Sequence, residues 1–217
     1  MPVTDDATLA RCLVDQGGRT YAESAGITLA DRPRPLYQLL VLAELLSTRI
    51  RAGMAVAAAR ELFAAGGATP SGMERLSWQQ RVDALGRAHY RRYDESTATR
   101  LGEGAVLCRQ RWRGDLRRLH AEAGADPVAL RRLLTGFPGI GPTGADIFLR
   151  EVQRVWTDLR PFADRRVLSG ARRVGLPADA RALRELVSAG QFDRLVAALI
   201  RVDLGDLVPD ACVQPAR

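Results

Sequence analysis

Two amphipathic segments of the chain are joined by a very short link, Phe137-Pro138-Gly139-Ile140-Gly141. Apolar residues recur at helical spacing on both sides of this link, in residues 126–136 and 142–156. The two glycines allow a turn that a Cβ atom would obstruct, and Pro142 suits the first position of a helix because it has no N–H to satisfy there. The pattern therefore predicts two helices joined by a tight hairpin, which is a helix-hairpin-helix.

The predicted hairpin directs backbone N–H groups outward at the start of its second helix. Such groups form an anion site, and a phosphodiester is the anion whose regular spacing suits this geometry on a duplex. The pattern therefore predicts binding to the backbone of double-stranded DNA without sequence preference. The residues predicted to contact DNA here are Gly139, Ile140, Gly141 and Thr143. The alternative for Thr143, in the first turn of a helix, is a hydrogen bond to backbone amides.

The charge of the chain favours the same partner, since the formal net charge is +7 at pH 7. All 32 basic side chains are arginine, because the sequence contains no lysine. Arginine binds phosphate in a bidentate manner and does not lose its proton to become an amine nucleophile. Genomic base composition is a sufficient explanation of the bias, but the chemical consequence is the same. A mechanism that needs a lysine Schiff base is excluded.

Helical periodicity recurs along the whole chain, and no segment shows the alternation of a strand. With 217 residues and 47% hydrophobic side chains, the chain is long enough for one or two domains with a buried core. We therefore predict an all-α fold, in which the apolar segment 36–46 forms the central helix. The predicted helices cover residues 4–15, 36–48, 52–65, 77–86, 96–112, 114–123, 126–136, 142–156, 164–174, 178–189 and 191–203.

The start of the sequence lacks the basic and apolar regions of a secretory signal. The longest apolar run, Leu39 to Leu46, is too short for a membrane span and is interrupted by Glu44. These features predict a cytoplasmic protein that does not enter a membrane.

Three cysteines, Cys12, Cys108 and Cys212, lie far apart in the sequence. This spacing predicts buried free thiols, because it fits neither a disulfide framework nor an iron-sulfur cluster held by four thiolates. No spacing of His, Cys, Asp and Glu typical of a zinc or two-metal site occurs, so we expect no metal held by side chains.

The order of these features resembles the endonuclease III superfamily of helix-hairpin-helix DNA glycosylases. The resemblance rests on the apolar segment 39–48, the hairpin 137–141 and the segment 160–167, and it covers roughly residues 30–205. Its most specific part is Asp164, which follows the hairpin by about twenty residues and opens another helix.

The resemblance implies an all-α fold of two lobes, with DNA and an extruded base held between them. Residues 34–141 would form a lobe of the six-helix type that ends in the hairpin. Residues 1–33 and 142–217 would form the second lobe and carry the catalytic Asp164. The family also implies that the hairpin carbonyls are able to hold a monovalent cation.

Asp164 is the residue on which the prediction of an enzyme depends. Breaking an N-glycosidic bond builds positive charge on the sugar, and a nearby carboxylate stabilises this charge or orients the attacking water. The alternative is a helix N-cap, a position that Asp commonly occupies. The adjacent Arg165 and Arg166 are predicted either to contact phosphates and favour the ionised carboxylate, or to lie on a solvated surface.

Several positions depart from the family pattern. Thr143 occupies the place of the lysine that acts as the lyase nucleophile, and Cys212 is the only cysteine of the C-terminal region, so we expect neither lyase activity nor an iron-sulfur cluster. Arg49 stands where the family often places a Gln that fills the gap left by the flipped base. Its neighbours Ser47 and Thr48 are the other pocket candidates on this segment.

A basic and aromatic cluster at residues 89–93 is a further pocket candidate. Tyr90, Arg92 and Tyr93 are of the types that stack on an unpaired base and bind phosphates. The alternative for this segment is the start of a helix with one buried tyrosine.

Together these features predict a monomeric, monofunctional DNA glycosylase of base excision repair, without a cofactor. A catalytically silent module that binds bent or damaged DNA is the alternative from another class. A lyase that incises the strand would require the N-terminal amine in place of the missing lysine.

Overall fold

The computed structural model describes residues 5–209 and 212, and all of the regular structure in these residues is helical. This confirms the predicted fold class. The helices are α1 (Asp6–Gly17), α2 (Tyr21–Ser24), α3 (Pro33–Ser47), α4 (Ala52–Leu62), α5 (Pro70–Arg75), α6 (Trp78–Arg87), α7 (Asp94–Trp112), α8 (Leu116–Ala123), α9 (Pro127–Leu134), α10 (Pro142–Val152), α11 (Arg165–Arg173), α12 (Ala180–Glu185) and α13 (Phe192–Leu204), with a π-helical turn at Phe63–Gly67 and a 3₁₀ turn at Thr157–Leu159.

Side-chain caps set the first residue of many of these helices. An Asp, Ser or Thr before the helix accepts hydrogen bonds from backbone N–H groups that have no partner within the helix. Ser77 and Gln80 form a reciprocal capping box at α6, as this spacing predicts. The capping residues in the described part of the chain are Asp5, Thr69, Ser77, Asp115, Asp126, Asp164 and Asp179.

The described residues divide into two compact units, a central unit of residues 22–159 and a terminal unit that consists of the described residues before 22 and after 159. The divisions predicted from the sequence lie at residues 34 and 141, so the observed central unit is longer at both ends. The reason at the C-terminal end is that α10 packs against α3 and therefore belongs to the central unit.

The core of the central unit is built around α3. Leu36, Leu39, Leu42 and Leu45 of this helix are fully buried, which confirms the predicted central helix. α4 and α10 pack against it. One charged residue of α3, Glu44, is also buried, with only 6% of its surface exposed.

The core of the terminal unit is built around α13, which packs against α1 and α11. A Cβ atom at Gly170 of α11 would lie 2.8 Å from the carbonyl carbon of Leu199, so only glycine allows the two helices to approach this closely. This contact holds in place the helix that Asp164 caps.

A disulfide joins Cys12 and Cys212 in the terminal unit, where their Cα atoms are 5.6 Å apart. The prediction of free thiols is wrong for this pair and is confirmed for Cys108, which is buried and unpaired with another cysteine. The two cysteines are 200 positions apart in sequence, but both ends of the chain contribute to one unit, which brings them together.

Among residues 5–209 and 212, no helix is both long enough and apolar enough to span a membrane.

Candidate nucleic-acid interface

The predicted helix-hairpin-helix is present in the central unit, with α9 and α10 joined by residues 135–141. The N–H of Ile140 donates to the carbonyl of Phe137 at 3.1 Å and closes the turn. The ring of Phe137 stacks on Trp112 with 5.2 Å between the ring centres, and Ile140 is only 4% exposed. These two apolar side chains hold the turn on the unit. If Ile140 contacts DNA, it therefore does so through its backbone.

The two hairpin glycines have different surroundings, although the sequence predicts the same role for both. Gly139 has a φ of +84°, and its missing side chain faces the interior. A Cβ atom there would lie 2.8 Å from Cδ of Glu44 and 3.1 Å from Cδ of Arg100. Gly141 has no such neighbour, because a Cβ atom there would meet no atom of the described structure within 4 Å. The open approach for a partner is therefore at Gly141.

Gly141 is also the N-cap of α10 and supplies no side-chain hydrogen bond to it. Pro142 follows at the first helical position, and the exposed Thr143 is next. Because the first N–H groups of a helix have no partner within it, the start of α10 combines uncapped donors with the positive end of the helix dipole. Unpaired N–H groups at the start of a helix are of the kind that bind anions.

An ion pair connects the two helices of the motif. Nε of Arg131 in α9 donates to Oδ1 of Asp146 in α10 at 2.8 Å. The pair links the helices on either side of the hairpin.

A buried carboxyl lies directly behind the hairpin. Among the residues that the structure describes, Oε1 of Glu44 has no hydrogen-bond partner, and neither has Nε of Arg100, which is 3.7 Å from it. Burial raises the pKa of Glu44 from 4.5 to about 8, and the nearby Arg100 opposes this shift. In the sequence, Glu44 is apparent only as an interruption of an apolar run. A charge within a helix that is apolar on all sides was the available signal.

The pocket candidates at the end of α3 have local hydrogen bonds. Oγ of Ser47 donates to the carbonyl of Glu44 at 2.7 Å, and Oγ1 of Thr48 accepts from the hydroxyl of Tyr90 at 3.0 Å. Ser47 also lies beside the first turn of α10, since a Cβ atom at Gly144 would be 3.5 Å from Cβ of Ser47. Arg49 is exposed.

The proposed role of Tyr90 in stacking on a base is wrong. Its ring is 1% exposed, and its hydroxyl lies 3.2 Å from Oγ1 of Thr97 in addition to its bond with Thr48. Tyr90 is therefore the buried tyrosine of the alternative interpretation, and it ties the end of α3 to α7. Arg92 is exposed, and its guanidinium lies 5.3 Å from the ring centre of Tyr93, which is partly buried.

Asp164 is placed at the N-cap of α11 in the terminal unit. Its Oδ1 accepts the N–H groups of Arg166 and Val167, each at 3.1 Å, and the residue is 9% exposed. The capping role is therefore present, and it is compatible with a second role for the carboxylate. Arg165 and Arg166 are both exposed, and the guanidinium of Arg166 lies 3.1 Å from the carboxylate of Asp203.

Within the described part of the chain, no group of three or more His, Cys, Asp or Glu side chains is placed to hold a metal ion.

Two solved structures of endonuclease III with DNA are similar to this chain. One is a trapped covalent intermediate described as an estranged-adenine complex, with 14% sequence identity and a TM-score of 0.50. The other is a non-covalent complex, with 13% identity and a TM-score of 0.51. Each match covers 91% of this chain and 86% of the other. No protein-family model and no curated protein sequence matches the chain.

The fold is therefore that of endonuclease III, and the resemblance seen in the sequence is confirmed at this level.

Proposed function

We propose that the protein is a monofunctional DNA glycosylase, which binds duplex DNA through the hairpin and hydrolyses the N-glycosidic bond of a flipped base. The observation that carries this proposal is the start of α10, where uncapped N–H groups follow an unobstructed Gly141 in a chain with the fold of endonuclease III. A phosphate at Thr143 would accept these N–H groups and lie at the positive end of the helix dipole.

In the proposed reaction, the bond between the base and C1′ of the sugar breaks, and the base leaves with the electron pair and gains a proton. Positive charge then develops on the sugar, which the carboxylate of Asp164 would stabilise. Water forms the new bond to C1′ and gives up a proton. The products would be a free base and an abasic strand.

The absence of lysine from the sequence supports hydrolysis over a lyase reaction, because a lyase needs an amine to form a Schiff base. Thr143 has no such group. The remaining amine is that of the N-terminus, so trapping with borohydride tests it directly. We expect no covalent complex and abasic strands that break only after treatment with alkali.

A second candidate is a catalytically silent protein that binds damaged or bent DNA. It is favoured by the geometry of Asp164, whose Oδ1 is occupied by the two N–H groups of a helix cap. A carboxylate that acts only as a cap would be retained for stability alone.

The experiment that separates the two candidates is base release by Asp164→Asn on a panel of duplexes with single lesions. Asn keeps the cap, so the protein should fold with a stability within about 0.5 kcal/mol of wild type. Loss of the charge should lower base release by about 10² to 10⁴.

The matched control is Asp179→Asn, because Asp179 caps α12 in the same unit and its Oδ1 also accepts two N–H groups. This variant should keep full activity. Equal activity of the two variants would contradict a catalytic Asp164, and wild type that releases no base from the panel would favour the silent module.

The binding site is tested by Gly141→Asp, with Gly141→Ala as the steric control. Both side chains have room, but only Asp can cap α10 and place a negative charge where the phosphate would bind. We expect duplex affinity to fall at least tenfold for Asp and to change little for Ala, at constant salt. Equal affinities would contradict the hairpin as the DNA site.

A further inference from the structure

Glu44 and Arg100 are two neighbouring ionisable side chains to which the proposed function gives no role. Glu44 belongs to α3, Arg100 to α7, and Gly139 of the hairpin lies against both side chains. Because a Cβ atom at Gly139 would overlap with the carboxyl of Glu44, the turn and the carboxyl are in direct contact.

The surroundings of Glu44 favour its neutral form. A cavity of about 10 Å³ lies beside it, and its lining includes Leu40, Phe137 and Ile140. A cavity of this size holds at most one water molecule, which cannot hydrate a carboxylate as bulk water does.

Two titratable groups face this carboxyl among the residues that the structure describes. Arg100 approaches from α7, and Tyr37 lies on α3 itself, where burial raises its pKa well above 10. The remaining residues that line the cavity on α7 and the hairpin carry no titratable side chain.

The positive charge of Arg100 has two alternative partners, the carboxylate of Glu44 and a phosphate at the hairpin. Its side chain is 37% exposed and reaches the surface beside the hairpin, its Nη2 donates to Oγ1 of Thr97 at 3.2 Å, and its Nε is 3.7 Å from Glu44. When Glu44 is neutral, the charge of Arg100 is uncompensated and attracts a phosphate at the hairpin. When Glu44 is ionised, the two side chains neutralise each other.

We propose that neutral Glu44 is a positioning residue for the DNA phosphate at the hairpin, so that duplex binding is coupled to retention or uptake of a proton by this carboxyl. The inference rests on the proposed DNA binding. Ionised Glu44 withdraws Arg100 from the phosphate and adds a negative charge behind the turn, and both effects weaken binding.

These contacts determine whether duplex affinity rises or falls with pH. Burial raises the pKa of Glu44 to about 8, and a phosphate beside Arg100 raises it further, so affinity should fall as pH rises through this value. Few other groups titrate in this range, since the chain has no lysine and burial raises the pKa of Cys108 to about 12.

The test measures the dissociation constant for a short undamaged duplex by fluorescence anisotropy, from about pH 6.5 to about pH 9.5 at constant salt. Wild type should bind about tenfold more weakly at the upper end, which corresponds to a change of about one in the pKa of Glu44 on binding. Glu44→Gln should change less than about twofold over the same range.

Two further variants test the loss of one negative charge elsewhere on α7 and the role of Arg100. Glu103→Gln removes an exposed carboxylate of the same helix as Arg100 and should follow wild type. Arg100→Gln alters a partly exposed side chain, and near pH 7 it should bind more weakly than wild type. Its dependence on pH should be smaller than that of wild type, because only the charge of Glu44 behind the turn then changes with pH.

The outcomes separate this inference from the function on which it rests. Binding by wild type that does not change with pH, or an equal pH dependence in Glu44→Gln, would overturn the role of Glu44 and leave DNA binding intact. A wild-type protein that binds no duplex at any pH would overturn the proposed function and the coupling together.

Discussion

Glu44→Gln should stabilise the protein increasingly as pH rises. The carboxyl has a pKa of about 8 in the folded chain and 4.5 as its ordinary value, a difference of about 3.5. At about 1.4 kcal/mol for each pKa unit, wild type loses about 5 kcal/mol of unfolding free energy between pH 4.5 and pH 8. About 3 kcal/mol of this is lost by pH 7. Gln does not ionise, so the variant avoids the loss.

The fall in unfolding free energy with rising pH follows from the number of protons that the folded and unfolded chains bind. Between the two pKa values, folded Glu44 keeps a proton that the unfolded chain has released, so a rise in pH favours unfolding. Below pH 4.5 both states are protonated, and above pH 8 both are ionised, so the difference between variant and wild type is constant outside this window.

Urea unfolding of both proteins at several pH values from about 5 to about 9 measures this difference. Other groups titrate equally in both proteins and cancel, and Glu103→Gln controls for the loss of one negative charge. The buried amide of Gln adds a cost that does not depend on pH. A stability difference that is constant across the range would refute the reasoning, because it would mean that Glu44 ionises alike in the folded and unfolded chains.

Two further predictions concern backbone and thiol chemistry. Gly139→Ala should cost about 2 kcal/mol or more, because φ is positive and the Cβ atom overlaps with Glu44, whereas Gly141→Ala should cost less than about 1 kcal/mol. Equal losses in urea unfolding would contradict the distinction between the two glycines. Thiol titration of the unfolded, unreduced protein should find the single thiol of Cys108, and reduction should raise the number to three. Three thiols without reductant would contradict the disulfide.

Local signals predicted much of the helical structure. The hairpin, the capping box at Ser77 and the caps at Asp126 and Asp164 each depend on residues within a few positions of one another. Such short-range chemistry is visible in one sequence. The short helices α2 and α5 were not predicted, because fewer than two turns leave no apolar period to detect.

Contacts between distant segments could not be predicted in the same way. The disulfide depends on α1 and the C-terminal end of the chain meeting in one unit, and 200 positions separate the two cysteines. The local pattern around Tyr90 fits an exposed stacking residue and a buried one equally well. Its buried hydroxyl contacts Thr48, which follows α3, and Thr97 of α7, and these two residues are far from each other in sequence.

Glu44 is a charged residue type buried among the apolar side chains of α3. A cost of about 3 kcal/mol at pH 7 is large compared with the 5 to 15 kcal/mol that stabilises a typical folded protein. An apolar residue would avoid this cost, because the cavity beside Glu44 is lined largely by apolar side chains. The same carboxyl requires glycine at position 139, since no side chain fits against it there. The buried carboxyl of Glu44 and the required glycine at position 139 both restrict the sequence at one contact. Because this contact lies beside the turn proposed to hold DNA, it indicates a functional constraint on this part of the core.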